Sequence, residues 1–145
     1  MDKYLRQALE QAKKGLAEGG IPIGSVLVID NKIVGAGHNQ RVQKNSSILH
    51  AEMDCLEKAG RLKAADYQKA TLYTTLSPCA MCTGAILLYG IKNVVIGENI
   101  NFMGQEKLLK ANDINVKVIN DVQCVDMMEN FIKDNPSLWN EDIGE

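Results

Sequence analysis

No stretch of this 145-residue chain reaches eighteen consecutive apolar residues, so no helix able to cross a bilayer is expected. Nor does the opening segment, MDKYLRQALEQAKKGLAEGG, hold the continuous apolar core of a secretory leader. Together these lacks predict a cytoplasmic protein with no membrane partner. An excess of one charge is missing too. Sixteen basic and 18 acidic residues leave a formal charge of −2 and a pI near 5.7, which gives a polyanion no broad electrostatic hold. No nucleic-acid partner is expected, and a small, weakly charged substrate fits better. With only three prolines and 46% hydrophobic residues, the composition is that of an ordinary globular protein. A chain of this length buries roughly 70% of the surface its unfolded form exposes. One domain spanning residues 1–145 therefore needs no disulfide or structural metal to fold. The four cysteines, in a reducing compartment, read as metal ligands, catalytic groups or buried thiols.

Hydrophobic spacing divides the chain. Leu5, Ala8, Leu9, Ala12 and Leu16 recur at helical spacing over residues 2–18, before the stop signal Gly19-Gly20. SVLVIDNKIVGAGHN gives two β-branched runs around Asp30, Asn31 and Lys32, which predicts a hairpin. A short helix follows in HAEMDCLEKAG, then a strand in ATLYTTL. CAMCTGAILLYG reads as a helix so uniformly apolar that it should be buried, its AILLYGI stretch either in the core or at a subunit interface. NVVIG (strand), GQEKLLKAN (helix), INVKVIN (strand) and DVQCVDMMENFIKDN (helix, with Asp121 as cap) complete the pattern. Strands alternating with helices after a hairpin predict an α/β fold with a mixed sheet and helices on both faces. The tail, PSLWNEDIGE, carries the chain's only tryptophan and is expected to dock.

Histidine is the scarcest chemically useful residue, present only as His38 and His50. His50 opens His50-Ala51-Glu52, and Pro78-Cys79-Ala80-Met81-Cys82 follows. Taken alone, the CxxC also suits a redox pair at a strand-to-helix entry, or two buried thiols. Taken with His50 it gives one imidazole and two thiolates, one ligand short of a closed structural zinc site. Cys55 and Cys124, the other cysteines, sit among apolar neighbours and read as core thiols. A catalytic zinc keeps its fourth position for water, whose pKa falls to about 7. Glu52 then stands beside the metal as a proton carrier. Three residues apart at a helix start, Cys79 and Cys82 share one face, and the helix N-terminus favours their thiolates. Positions i and i+2 of a helix diverge by about 200°, so His50 must occupy the first, half-irregular position if it and Glu52 are to face one metal. HxE with PCxxC is the signature of zinc deaminases.

Beyond these motifs, EGGIPIGSVL, GHNQRVQKNSSILHAE, TLYTTLSPCAMCTGAILLYGI, VVIGENINF and WNEDIGE resemble the fungal-type cytosine deaminases of the cytidine-deaminase-like superfamily. The resemblance implies a three-layer α/β/α sandwich around a five-stranded mixed sheet, a homodimer, one zinc ion per subunit, and hydrolysis of free cytosine to uracil and ammonia in pyrimidine salvage. Zinc on His50, Cys79 and Cys82 would deliver hydroxide to C4, with Glu52 shuttling protons. By the same resemblance Asn39 reads the pyrimidine edge and Asp142 reaches the exocyclic amine. Phe102 and Trp139 wall the flat ring, Ile23 and Leu76 are apolar neighbours, and Ala51 (backbone N–H) and Ser77 (backbone carbonyl) bond the base. Residues 135–145 would close the active site. The chain departs from the fungal pattern at Ala51, where glycine is usual, and at Val42, where an aromatic is usual. A guanine deaminase or a tRNA adenosine deaminase shares the scaffold, although the acidic tail suits RNA poorly. A non-catalytic zinc-binding dimerisation module is the alternative of another class, and it would have no use for Glu52.

Overall fold

The computed structural model describes residues 1–145. Helix α1 (Lys3–Ala17) begins where the Asp2 carboxylate accepts from the N–H groups of Tyr4 and Leu5. Its stripe of Leu5, Ala8, Leu9 and Ala12 is buried, whereas Leu16 is exposed. The last turn meets the rest of the chain through Gly15, which lies against the His38 ring. Strands β1 (Gly24–Ile29) and β2 (Lys32–His38) form the expected hairpin. Asp30 and Asn31 both take positive φ, the two-residue turn that matches strand twist.

After the hairpin come α2 (Arg41–Lys44), α3 (Ala51–Ala59), α4 (Ala64–Lys69), β3 (Thr71–Thr74) and α5 (Ala80–Tyr89). The chain finishes with β4 (Asn93–Ile96), α6 (Glu106–Ala111), β5 (Asn115–Val118), α7 (Val122–Asp134) and α8 (Pro136–Asp142). Neither α2 nor α4 was legible in the sequence, because so few residues do not establish a period. The tail is helical, with Pro136 in its first turn, where a missing N–H costs nothing.

The sheet order is β2-β1-β3-β4-β5, antiparallel across the first three strands and parallel across the last three. It is the five-stranded mixed sheet the sequence implies. Successive β1 side chains point to opposite faces. Leu27 and Ile29 join Leu72, Val94 and Ile96 in the main core beneath α3 to α6, while Val26 and Val28 pack with Ala8 of α1. A further cluster, with Ile21, Ile23, Ala51, Leu76, Met128, Phe131 and Trp139, ties α7 and α8 to one end of the sheet. Strand polarity makes that end the meeting place. Because β1 runs against both neighbours, its start lies beside the end of β2 (Gly24 opposite His38) and the end of β3 (Ser25 opposite Thr74).

The expectation that α5 is buried all round needs correction. Cys82, Thr83 and Ile86 are buried, but Leu88 is 74% and Tyr89 44% exposed. The sheet covers only one side of a helix that is apolar on every side.

Strand β2 and helix α3 touch without intervening side chains. A Cβ at Gly35 would lie 2.7 Å from the Cys55 carbonyl oxygen, and one at Gly37 only 2.4 Å from the Cys55 nitrogen. Neither obstacle is a flexible side chain. Gly37→Ala should therefore cost about 1–3 kcal/mol of stability through enforced backbone shift, read as a lower urea midpoint. An unchanged midpoint would mean that strand and helix are free to separate.

Candidate active site

Two helices begin at one point above the sheet, and the residue that begins each is a candidate ligand. His50 is the N-cap of α3 and Cys79 the N-cap of α5, both with extended backbone; Cys82 follows in the first turn of α5. The half-irregular position required for His50 is thus the one it holds. The His50 Nδ1 lies 3.3 Å from the Cys79 Sγ and 3.7 Å from the Cys82 Sγ. All three donor atoms fall within 4.8 Å of one another.

The other imidazole nitrogen, Nε2, is 3.1 Å from the main-chain oxygen of Asp142. As donor to that carbonyl it leaves Nδ1 free to bind a metal, and so fixes ring and tautomer together. The electrostatics suit a cation. A hydrogen bond from Cys82, reinforced by His50, holds the Cys79 thiol down to about 4 despite burial. Hydrogen bonding to Cys79 and burial push Cys82 well up. One nitrogen and two sulfurs, converging with one thiolate already favoured, fit zinc with a position to spare. Cys55 and Cys124 are buried, and burial raises both thiols, Cys124 to about 12. They are core thiols, as their neighbours suggest.

Glu52 is 4% exposed and makes no ion pair with lysine or arginine. Burial lifts its carboxyl to about 7, against the pull of His50. It lines a cavity of about 280 Å³ together with His50 and Cys79. Ile23, Leu76, Ser77, Phe102, Trp139 and Asp142 complete the predicted part of the lining, and Ile143 adds to it. The Phe102 and Trp139 rings meet edge to face, centroids 6.0 Å apart. Asn39 and Ala51 are wholly buried behind this surface, and Val42 is exposed outside it. The Asn39 Nδ2 donates to the Asp142 Oδ1 at 2.9 Å, and its Oδ1 accepts from the Arg41 N–H at 3.0 Å.

Several supports were not foreseen. Ile143 was legible only as an apolar residue in an acidic tail. The Arg41 guanidinium reaches Glu141 at 3.4 Å and Asp142 at 3.5 Å, joining α2 to α8. Glu106, buried at the start of α6, accepts a 2.6 Å hydrogen bond from the Ser77 hydroxyl, which in turn accepts from the Gly104 N–H. Fully buried Glu98 accepts from the N–H groups of Ile100 and Asn101, shaping the loop that presents Phe102. A single acidic residue in a loop, as Glu98, or at the start of a short helix, as Glu106, gives no periodic signal, so sequence alone could not pick them out.

Residues 1–98 match the family model of the cytidine and deoxycytidylate deaminase zinc-binding region. The chain is 60% identical over 144 residues to the cytosine deaminase of Candida albicans, covering 99% of this chain and 96% of that protein. It is 36% identical over 143 residues to a tRNA-specific adenosine deaminase of Streptococcus pyogenes, covering 90% and 88%. Among solved structures, a guanine deaminase from Nitrosomonas europaea superposes with a TM-score of 0.70 at 20% identity, covering 88% of this chain and 82% of that one. The last likeness concerns fold alone.

The purified chain should carry one zinc ion by atomic absorption. Cys79→Ala and Cys82→Ala should each lose it, whereas Cys55→Ala and Cys124→Ala should keep it. Full zinc content in Cys82→Ala would remove that thiol from the ligand set.

Proposed function

We propose that this chain, which belongs to the cytidine and deoxycytidylate deaminase family, hydrolyses free cytosine to uracil and ammonia. The observation that carries this reading is the cavity: metal donors and a buried carboxylate line about 280 Å³ of space. Its apolar walls, Ile23, Leu76, Phe102 and Trp139, suit the faces of a flat ring. The likeness to a cytosine deaminase over nearly the whole chain supports cytosine as that ring.

Zinc, when bound, supplies the acidity that makes water nucleophilic at neutral pH. His50, Cys79 and Cys82 hold it, and Glu52 moves the protons. The Glu52 carboxylate takes a proton from water and gives it to ring N3, which makes C4 electrophilic, and the hydroxide left behind adds to C4. It then delivers the water's second proton to the exocyclic nitrogen, so that ammonia leaves and a carbonyl remains. Asp142 lines the cavity and meets the amine, and Asn39, bonded to it at 2.9 Å from behind the lining, exchanges that bond for the pyrimidine edge when the base enters. The Ala51 N–H and the Ser77 carbonyl complete the pairing. Ile23, Leu76, Phe102 and Trp139 grip the ring faces and exclude water. Segment 135–145 closes the site, an arrangement supported by buried Trp139 and by the Arg41 link to α8.

A tRNA substrate is less well served. An RNA loop would find no net basic charge on this chain to hold its phosphates. No helix is long and apolar enough to cross a membrane. Cytoplasmic residence and a place in pyrimidine salvage belong to the same proposal, supported by a ligand pair that needs a reducing compartment.

We also propose that the chain acts as a homodimer through the uncovered face of α5. Leu88 and Tyr89 are exposed there, beside a groove lined by Met53, Leu56 and Leu62. Large exposed apolar side chains beside such a groove support an interface there.

The zinc-loaded protein should release ammonia from cytosine, and not from guanine or a tRNA anticodon stem. Glu52→Ala should keep its zinc and lose at least about a hundredfold in turnover; near-normal turnover would end the proton-carrier role. By light scattering, the wild type should have the mass of two chains and Leu88→Asp that of one. A wild-type monomer would refute the dimer.

A further inference from the structure

The Asp54 carboxylate is 2% exposed, yet it lies outside the cavity. Its Oδ2 accepts from the His38 N–H at 3.0 Å and from the Lys58 ammonium at 2.9 Å, and its Oδ1 accepts from the Gln40 side-chain amide at 2.9 Å. Two of these donors flank Asn39 on either side. Asp54 itself stands four residues after His50 and two after Glu52, on helix α3. We propose that Asp54 is a positioning residue for substrate recognition: it pins the segment carrying Asn39 to the helix carrying the metal ligand and the proton carrier. The proposal rests on the deaminase reading of the site.

The need for such a pin follows from the way β2 meets α3. Interlocking side chains ordinarily set the register between a strand and a helix. At Gly35 and Gly37 the two backbones touch directly, so little side-chain interlock opposes sliding of one along the other. Directional hydrogen bonds must then fix the register, and a charged acceptor makes the stronger ones. A further link, from the Gln40 N–H to the Leu49 carbonyl, ties the same segment to the residue just before His50.

The contacts close into a ring. Asp54 holds His38 and Gln40, between which Asn39 bonds Asp142; the Asp142 carbonyl receives His50 Nε2, and His50 begins the helix that returns to Asp54. Loosening Asp54 would let Asn39 drift relative to Glu52, whereas the zinc donors are placed by the starts of α3 and α5. Small displacements of a binding group cost rate out of proportion to their size. The Lys58 ammonium, partly exposed, balances the buried charge and touches nothing in the site.

A double-mutant cycle distinguishes this from a merely structural role. Asp54→Asn keeps the shape of the side chain but removes its charge and replaces one acceptor oxygen with a donor. For cytosine it should lower kcat/KM about ten- to a hundredfold, with zinc content still one per chain. In an Asn39→Ala background the same change should cost less than about twofold, since the group it positions is gone. Equal losses in both backgrounds, or no loss with Asn39 present, would overturn the proposal. If turnover of Asn39→Ala is too slow to follow, calorimetric binding of uracil supplies the same four corners. Gln40→Ala, which spares the His38 and Lys58 contacts, should show the same background dependence with a smaller loss, and serves if Asp54→Asn does not fold. Failure of the wild type to deaminate cytosine would count against the function proposed above and not against Asp54. The cycle would then be run on whichever base the wild type does deaminate.

Discussion

Two helix N-termini aimed at one point are the constraint from which the site follows. At an N-cap the backbone is still extended, so the side chain can turn across the helix end instead of projecting from its flank. His50 and Cys79 both use that freedom, and Cys82 comes up beside them from the first turn. The partial positive charge of a helix start favours thiolate over thiol. Glu52, one step into α3, is carried to the same point by the helix that places His50.

The sheet makes the convergence possible. In parallel strands the helices that follow start at the carboxyl ends, where ligands bind in open α/β sheets. Here β3 leads toward α5 at that end, while the antiparallel hairpin brings the start of β1 and the end of β2 to the same edge. Ile23, Asn39 and Leu76 therefore surround the ligands although they are distant in the chain. The remaining wall arrives last: α8 lays Trp139 against Phe102 and places the Asp142 carbonyl on His50. Helix α8 thus both walls the cavity and orients the His50 imidazole.

Much of this was legible in the residues, and unevenly so. The hairpin turn was readable because Asp30 and Asn31 tolerate positive φ. The position of His50 was readable because a spacing of two allows shared facing only at a helix start. The main elements followed from their apolar periods, and α2 and α4 did not, being too short to have one. For α5 the residues left core and interface open, because an apolar sequence reports a preference for burial without saying what does the burying. Asp54, Glu98 and Glu106 were silent for a different reason. Their importance lies in partners supplied by distant segments, and a single acidic letter looks the same whether it is solvated or holds a loop in place.

The central claim is that one imidazole and two thiolates, presented by two facing helix ends, make an open zinc site. Zinc-edge X-ray absorption of the purified protein tests it most directly. The account predicts two sulfur scatterers at about 2.3 Å, one imidazole nitrogen at about 2.0–2.1 Å and one further light atom. Three or four sulfur scatterers would draw Cys55 or Cys124 into a closed site and contradict it.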